Sequence, residues 1–225
     1  MDLLDHYQGD LPNLCLVTDD PYRVKMIAAH YLDRVEIFSE TRGQIGLIGD
    51  FNGIRLMVLS VGIGERSTMA YLGEICRRTR VKRVIHFGDC VTADPNLPVG
   101  TILYVSKAMD HEESFIPAQN LLHHAVKVLN ENNVKAYPGV TFTEDRFLID
   151  RKYIQNQETN ILDFTAAGIY GLDKIYGDIE VLSILNVCEN VSAHEVIGEA
   201  VRQSGGQTGI MSALQILTHH SDVLQ

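Results

Sequence analysis

The sequence predicts an α/β protein with a mixed, largely parallel central sheet. Apolar runs of strand length alternate along the chain with longer segments whose apolar residues recur at a helical period. Runs such as "LCLV" and "LMVL" contain no polar residue, a composition typical of strands that are buried on both faces of a parallel sheet. Helices must then cover both faces, which gives an α/β/α sandwich.

In the first third of the chain, "LCLVTDD" is predicted as a buried strand ending in an acidic turn. Pro21 opens the helix "PYRVKMIAAHYL", because proline is favoured at the first helical position. The segment 43–64 is predicted as a β-hairpin with "FNG" as its turn. The helix 67–79 follows, with Ser67 as its expected N-cap.

The rest of the chain continues the alternation without a repeat or a linker. We predict strands at 81–89, 100–110, 134–142 and 180–190, and helices at 117–133, 161–176 and 206–220. We therefore expect one domain that spans residues 1–225.

Composition excludes several classes of function. The net charge of −10 leaves no basic stripe for nucleic acid or for an anionic membrane. No apolar run approaches the roughly 18 residues that cross a bilayer, and the acidic N-terminus does not resemble a secretory signal. The four cysteines show no metal-binding spacing, so we expect reduced thiols, a cytoplasmic location and no metal or organic cofactor.

Four polar or glycine-rich turns follow predicted strands and are the first candidates for a binding site. In parallel sheets, ligands bind beyond the carboxyl ends of the strands, so turns at these ends are expected to meet in one pocket. The turns are "TDDPYR" (18–23), "GIGERS" (62–67), "FGDC" (87–90) and "CEN" (188–190).

Five ordered segments carry a resemblance to a known family. They are "DDPYRVKMIA", "RGQIGLIGDFNGIRLMVLSVGIGERST", "VKRVIHFGDCVTADPNLPVGTILYVSKAMD", "DFTAAGIYGL" and "NVCENVSAHE". In order and spacing they resemble the signature segments of nucleoside phosphorylases, nearest to bacterial hexameric purine nucleoside phosphorylases and uridine phosphorylases. The resemblance covers nearly the whole chain and implies a phosphorylase-like sandwich.

The resemblance also implies an activity. Members of the family are pentosyltransferases of nucleoside metabolism and purine salvage. They catalyse reversible phosphorolysis of a purine or pyrimidine nucleoside to free base and pentose 1-phosphate, with inorganic phosphate as co-substrate. They self-associate as dimers or hexamers, so the expected partners are a nucleoside and further copies of this chain.

Five residues occupy the positions of the family's phosphate site. Arg23 matches an arginine that binds phosphate, and Arg42 matches one that a neighbouring subunit donates across the interface. Asp19, His86 and Asp89 stand where the family has a glycine, an arginine and a serine or threonine. Two anions therefore enter this subsite, and one permanent cation becomes titratable.

At the positions of the family's ribose and base sites, some residues match the family and others differ from it. Thr165, which follows Phe164, stands where the family's glutamate binds the two ribose hydroxyls. Phe147 matches an aromatic residue that packs on the base. Glu189 stands at the position of the family's general acid, and Arg202 matches the arginine that moves toward this acid during catalysis.

These substitutions leave three functions open. The first is a nucleoside phosphorylase that uses Arg23, Arg42 and Glu189. The second is a nucleosidase of the same fold, in which Asp19, Asp20 or Asp89 orients or deprotonates water. The third is a non-catalytic relative that binds a nucleoside.

Overall fold

Strands and helices alternate in the computed structural model, which describes residues 4, 7–144, 159–198 and 206–219. The strands are β1 Leu14–Thr18, β2 Asp33–Thr41, β3 Gln44–Phe51, β4 Ile54–Ser60, β5 Arg83–Thr92, β6 Ile102–Met109, β7 Ser114–Phe115, β8 Ala136–Thr143, β9 Ile161–Asp163, β10 Glu180–Asn190 and β11 Glu195–Val196. The helices are α1 Pro21–Tyr31, α2 Glu65–Arg78, α3 Gln119–Glu131, α4 Ala166–Tyr176 and α5 Gln207–Thr218.

All of these strands belong to one mixed sheet. Its centre is the parallel series β4–β1–β5–β10, and the antiparallel strands β3 and β2 extend it beyond β4. Beyond β10 the sheet continues through β6, β8 and β9, and β9 pairs again with β5, which closes these strands into a ring. The predicted α/β class with a mixed sheet is confirmed.

The edge of β5 has a gap that positions the site. On this edge β1 pairs with β5 as far as Phe87, and β9 pairs with it at Val91 and Thr92. Between these two partners, no strand in the described part of the chain pairs with residues 88–90 along this edge. Side chains and ligands therefore have access to the carboxyl end of β5.

Hydrophobic residues pack on both faces of the sheet, as the uninterrupted apolar strands predict. In β1, Cys15 and Val17 belong to one core with residues of α2 and α4. Leu14 and Leu16 belong to a second core with residues of α1, α3 and α5. This alternation gives the three layers of an α/β/α sandwich. No helix in the described ranges is both long enough and apolar enough to span a bilayer.

Two local predictions were wrong. Helix α2 begins at Glu65 with Gly64 at its N-cap, and Ser67 instead donates a hydrogen bond to the carbonyl of Val61. The segment predicted as one helix from residue 161 starts as strand β9, because its two apolar residues pair with the end of β5. The predictions also omitted strand β2, whose first five residues are exposed and include three charged side chains.

Helix α5 fixes the end of β5 through two glycines. A Cβ atom on Gly209 would lie 2.2 Å from Cε2 of Phe87, and one on Gly206 would lie 2.7 Å from Cε1 of the same ring. Phe87 is fully buried, and the guanidinium of Arg23 lies 4.9 Å from its ring centroid. The glycines therefore position a residue that supports the site.

We predict that G209A lowers the free energy of unfolding by about 1–3 kcal/mol, because the added methyl group overpacks against Phe87. The matched control is G171A in α4, where the nearest atom would be at an ordinary 3.9 Å. This control should stabilise the protein by about 0.5–1 kcal/mol, because alanine is the better helix former. Urea denaturation measures both variants, and equal stability of the two would refute the close contact.

Candidate active site

A cavity of about 590 Å³ opens at the carboxyl edge of the central strands. All four turns singled out in the sequence contribute to it, so their predicted convergence is confirmed. Its lining includes Asp19, Asp20, Pro21, Tyr22 and Arg23 from the first turn, Gly62 and Ile63 from the second, Asp89 and Cys90 from the third, and Cys188 from the fourth. Gln44, Val91 and Phe164 complete the described lining.

An ion pair lies in the part of this cavity where the sequence predicts a phosphate site. Nη2 of Arg23 donates to Oδ2 of Asp89 at 2.9 Å, and Nη1 donates to Oγ1 of Thr18 at 3.4 Å. The arginine is only 5% exposed and stacks on Phe87, so its position is set by packing as well as by charge. Oδ1 of Asp89 is buried and has no hydrogen-bond partner among the described residues.

A second network joins four side chains, two from strands β5 and β10 and two from the segments that follow β1 and β9. Nε2 of His86 contacts Oδ1 of Asp19 at 3.2 Å, and Nδ1 contacts Oγ of Ser183 at 3.2 Å. Thr165 donates from Oγ1 to the same Oδ1 at 2.9 Å. These contacts fit the histidine tautomer with a proton on Nε2, which donates to the carboxylate while Ser183 donates to Nδ1.

Gly88 permits this network to close. A Cβ atom at this position would lie 2.7 Å from Nε2 of His86 and 2.8 Å from Oδ2 of Asp19. Any side chain here would push the histidine or the aspartate out of position. The glycine before Asp89 is therefore a packing requirement of the Asp19–His86 pair.

The N-terminus of a helix is a favourable position for an anion, and at α1 a carboxylate of the chain itself takes this position. Asp20 is the N-cap and accepts a hydrogen bond from the amide of Tyr22 at 2.8 Å. Pro21 has no amide proton to offer. Since the first turn of α1 lines the cavity, its positive end is compensated by a carboxylate before any ligand arrives.

The triplet 163–165 presents one apolar face to the cavity. Asp163 is 1% exposed, and its carboxylate accepts from the amides of Thr165 at 2.8 Å and Ala166 at 2.6 Å, as well as from the hydroxyl of Thr143. Burial raises the pKa of the Asp163 carboxyl group, and the hydrogen bonds from the two amides oppose the rise. Phe164 is the member of the triplet that lines the cavity.

The other predicted site residues are more dispersed. Glu189 is half-buried on β10, beside Cys188, but it is not among the described lining residues. Arg42 is exposed in the β2–β3 turn with φ of 53°, next to Gly43 with φ of 81°. It is outside the cavity of its own chain, as a residue donated to a neighbour would be. Phe147 and Arg202 lie outside the described residues.

Sequence reasoning missed several residues of the site. Ser183 reaches His86 because β10 pairs with β5 in a register that places these two residues side by side. Gln44 also lines the cavity, whereas Cys188 and Cys90 belong to turns that the sequence did single out. Burial raises the pKa of the Cys90 thiol. These contacts depend on the register of strands that are distant in the sequence, and no local sequence pattern predicts that register.

The cavity wall carries carboxylates beside its arginine. Arg23 is neutralised by Asp89, and Asp19 adds a second carboxylate on the same wall. A phosphate within about 4–6 Å of either carboxylate would be repelled by roughly 1 kcal/mol or more. A neutral hydrogen-bond donor such as water would be accepted. Within the described ranges, no group of three or more His, Cys, Asp or Glu residues could hold a metal ion.

Comparisons with known proteins agree with this architecture. Residues 13–171 match a family model described as the phosphorylase superfamily. A DeoD-type purine nucleoside phosphorylase from Brevibacillus brevis is 27% identical over 212 residues, which cover 88% of this chain and 90% of the relative.

Two solved structures share the fold. The first is a purine nucleoside phosphorylase from Toxoplasma gondii in complex with immucillin-H. Its TM-score is 0.82 at 17% identity, and the match covers 96% of this chain and 95% of the other. The second is a mutant futalosine hydrolase from Helicobacter pylori. Its TM-score is 0.77 at 12% identity, with 92% and 98% coverage. The fold thus serves proteins named as phosphorylases and as hydrolases.

Proposed function

This chain belongs to the phosphorylase superfamily, and from that premise we propose that it cleaves the N-glycosidic bond of a nucleoside with water as the nucleophile. The products are a free purine or pyrimidine base and a free pentose. The chain is then a nucleoside hydrolase built on the phosphorylase fold, and residues 1–225 act as one catalytic domain.

The observation that carries this proposal is the Arg23–Asp89 ion pair at 2.9 Å. A phosphate that used Arg23 would have to displace a carboxylate that is already in place or bind beside it. Separating the pair would leave a charged carboxylate in a largely buried environment, which is costly. Water faces no such cost, because it donates hydrogen bonds to carboxylates.

Asp19 is the residue best placed to activate that water. His86 and Thr165 both contact Oδ1, so Oδ2 is the oxygen available to accept a proton. In the proposed step, the water oxygen bonds to C1′ while its proton passes to Asp19 and the C1′–N bond breaks. The two contacts hold the carboxylate in place, which is the purpose of a preorganised base.

Glu189 is the proposed acid for the departing base. It is half-buried at the end of β10, and its backbone pairs with Val91, whose side chain lines the cavity. Its carboxyl proton would pass to the nitrogen of the base as the glycosidic bond breaks. The proton balance then closes, because water supplies one proton to Asp19 and Glu189 supplies one to the base.

Phosphorolysis is the second candidate, and a specific observation favours it. Arg23 remains on the cavity wall at the position of a phosphate-binding arginine, and the curated relative from Brevibacillus brevis is named a phosphorylase. In this alternative, phosphate would displace Asp89 from Arg23. The third candidate, nucleoside binding without cleavage, has the same cavity but no role for the preorganised Asp19.

The discriminating experiment follows free base from a panel of purine and pyrimidine nucleosides with and without inorganic phosphate. We predict equal release in both conditions, and a loss of roughly 100-fold or more in kcat for D19N, because the base is removed. D20N is the matched control, since asparagine caps α1 as well as aspartate does, and its rate should stay within about threefold.

Each outcome has a distinct meaning. Release that requires phosphate would replace hydrolysis with phosphorolysis. Equal losses in D19N and D20N would remove Asp19 from the role of base. If no nucleoside of the panel releases base but nucleosides still raise the melting temperature of the protein, the result would favour a non-catalytic binding protein.

We further propose that the chain self-associates, as a dimer or hexamer, and that Arg42 completes a neighbour's cavity. The hairpin turn that carries Arg42 is exposed, and no side-chain partner for it occurs in the described ranges. Asp19, Asp20 and Asp89 line the cavity, so a neighbour's guanidinium would meet carboxylate acceptors there.

Mixing two inactive variants tests the donation directly. R42A should lack the donated guanidinium and D19N should lack the base, so both homo-oligomers should be nearly inactive. In a mixed oligomer, the D19N subunit supplies Arg42 to the intact Asp19 site of the R42A subunit, and we predict that activity returns after subunit exchange. Lack of rescue despite exchange shown by native mass spectrometry, or a stable monomer in solution, would contradict the shared site.

A further inference from the structure

We propose that Cys90 and Cys188 form a redox-active dithiol in the wall of the cavity, which a peroxide closes to a disulfide and a thiol reductant reopens. Both residues line the cavity, and neither thiol takes part in the proposed hydrolysis. Formation of the disulfide does not depend on which reaction the cavity supports.

The pairing of β5 with β10 places the two cysteines side by side. Cys90 pairs with Val187. The next pair joins Val91 to Glu189, so Cys188 is the extra residue of a β-bulge. Neighbouring strands lie about 4.8 Å apart, and disulfides join Cα atoms that are about 4.4–6.8 Å apart. This spacing puts Cys188 within reach of Cys90 for a disulfide.

The bulge also directs both residues to one cavity. In a regular strand, side chains alternate between the two faces, so the residue after the partner of Cys90 would point away from it. The extra residue interrupts this alternation, and β-bulges commonly re-aim a side chain in this way. As a result, Cys90 and Cys188 lie on the same cavity wall.

The two thiols differ in exposure, and this difference assigns their roles. Cys90 is fully buried, and its pKa is raised first by burial and then by the nearby Cys188 thiol. Since the thiolate is the nucleophile in thiol oxidation, Cys90 is a poor first target. Cys188 is half-buried and lines the cavity, so it is the thiol that a small oxidant reaches first.

The proposed oxidation has two steps and consumes one molecule of hydrogen peroxide. The Cys188 sulfur attacks the peroxide, the O–O bond breaks, and the products are a sulfenic acid and water. The Cys90 sulfur then attacks the sulfenic sulfur, the S–O bond breaks, and the Cys90 proton leaves with the hydroxyl group as a second water. Two electrons pass from the thiols to the peroxide. A dithiol reductant restores both thiols by thiol–disulfide exchange.

Cys15 and Cys76 provide an internal control. They lie in β1 and α2 and belong to one hydrophobic core. Burial raises the pKa of the Cys76 thiol to about 12, and burial together with the nearby Cys76 raises that of Cys15. Neither residue is among the described residues that line the cavity. We expect this pair to stay reduced in the folded protein.

Peptide mapping after oxidation tests the proposal. The reduced protein is treated with hydrogen peroxide, the remaining thiols are alkylated, and the peptides are identified by mass spectrometry. We expect the wild type to lose two of its four thiols and the mass of two hydrogen atoms, with Cys90 and Cys188 joined in a pair of peptides that dithiothreitol separates.

Three variants assign the two steps. C90S should stop at a Cys188 sulfenic acid that dimedone traps, because the second thiol is missing. C188S should keep all of its remaining thiols, because the accessible sulfur is missing. C76A, the matched control in α2, should still form the disulfide.

The outcomes separate this dithiol from the proposed reaction. A wild-type protein that keeps all four thiols, or whose Cys188 becomes a sulfinic acid without joining Cys90, would overturn the proposal. A disulfide between two copies of the chain, or between Cys15 and Cys76, would overturn it as well. The expected disulfide in a protein that releases no base, or releases it only with phosphate, would support the dithiol and contradict the hydrolase. Base release without phosphate in a protein that forms no disulfide would do the reverse.

Discussion

The ion pair between Arg23 and Asp89 is the interaction on which the chemistry of this cavity depends. Arg23 is held by α1, by Thr18 and by the ring of Phe87, so the guanidinium cannot move far to meet a different ligand. Asp89 cancels its charge at 2.9 Å. Arg23 therefore adds no net positive charge to the cavity wall. Under the proposed function, water is accepted there, whereas phosphate would have to compete with a carboxylate that belongs to the chain.

The surrounding packing is organised to keep this arrangement in place. Close contacts with the two glycines of α5 hold Phe87, and Gly88 leaves the space in which His86 and Asp19 approach each other. Ser183 completes the support from β10. These residues connect the core of the sandwich to Arg23 and Asp19, so that the orientation of Asp19 is a consequence of the fold. Asp19 and His86 thus belong to one network, and Asp89 forms a separate ion pair with Arg23 in the same cavity.

Much of the fold was predictable from the sequence, because apolar runs and helical periodicity are local signals. The four turns were also predictable as one site, since parallel strands place their carboxyl ends at one edge. The sequence did not reveal which side chains pair inside that site. The contact of Ser183 with His86 depends on the register of strands 97 residues apart, and that of Thr165 with Asp19 on residues 146 apart. Strand β9 was mistaken for helix because its short apolar segment gains its conformation from pairing with β5.

Titration calorimetry of inorganic phosphate into the wild-type protein and the D89S variant tests the central claim most directly. D173S, a substitution at an exposed aspartate in α4, controls for the change in net charge. We predict no saturable binding to the wild type or D173S at millimolar phosphate, and at least about tenfold tighter binding to D89S, because removal of the carboxylate frees Arg23 for the ligand. Tight binding to the wild type that D89S does not improve would contradict the account.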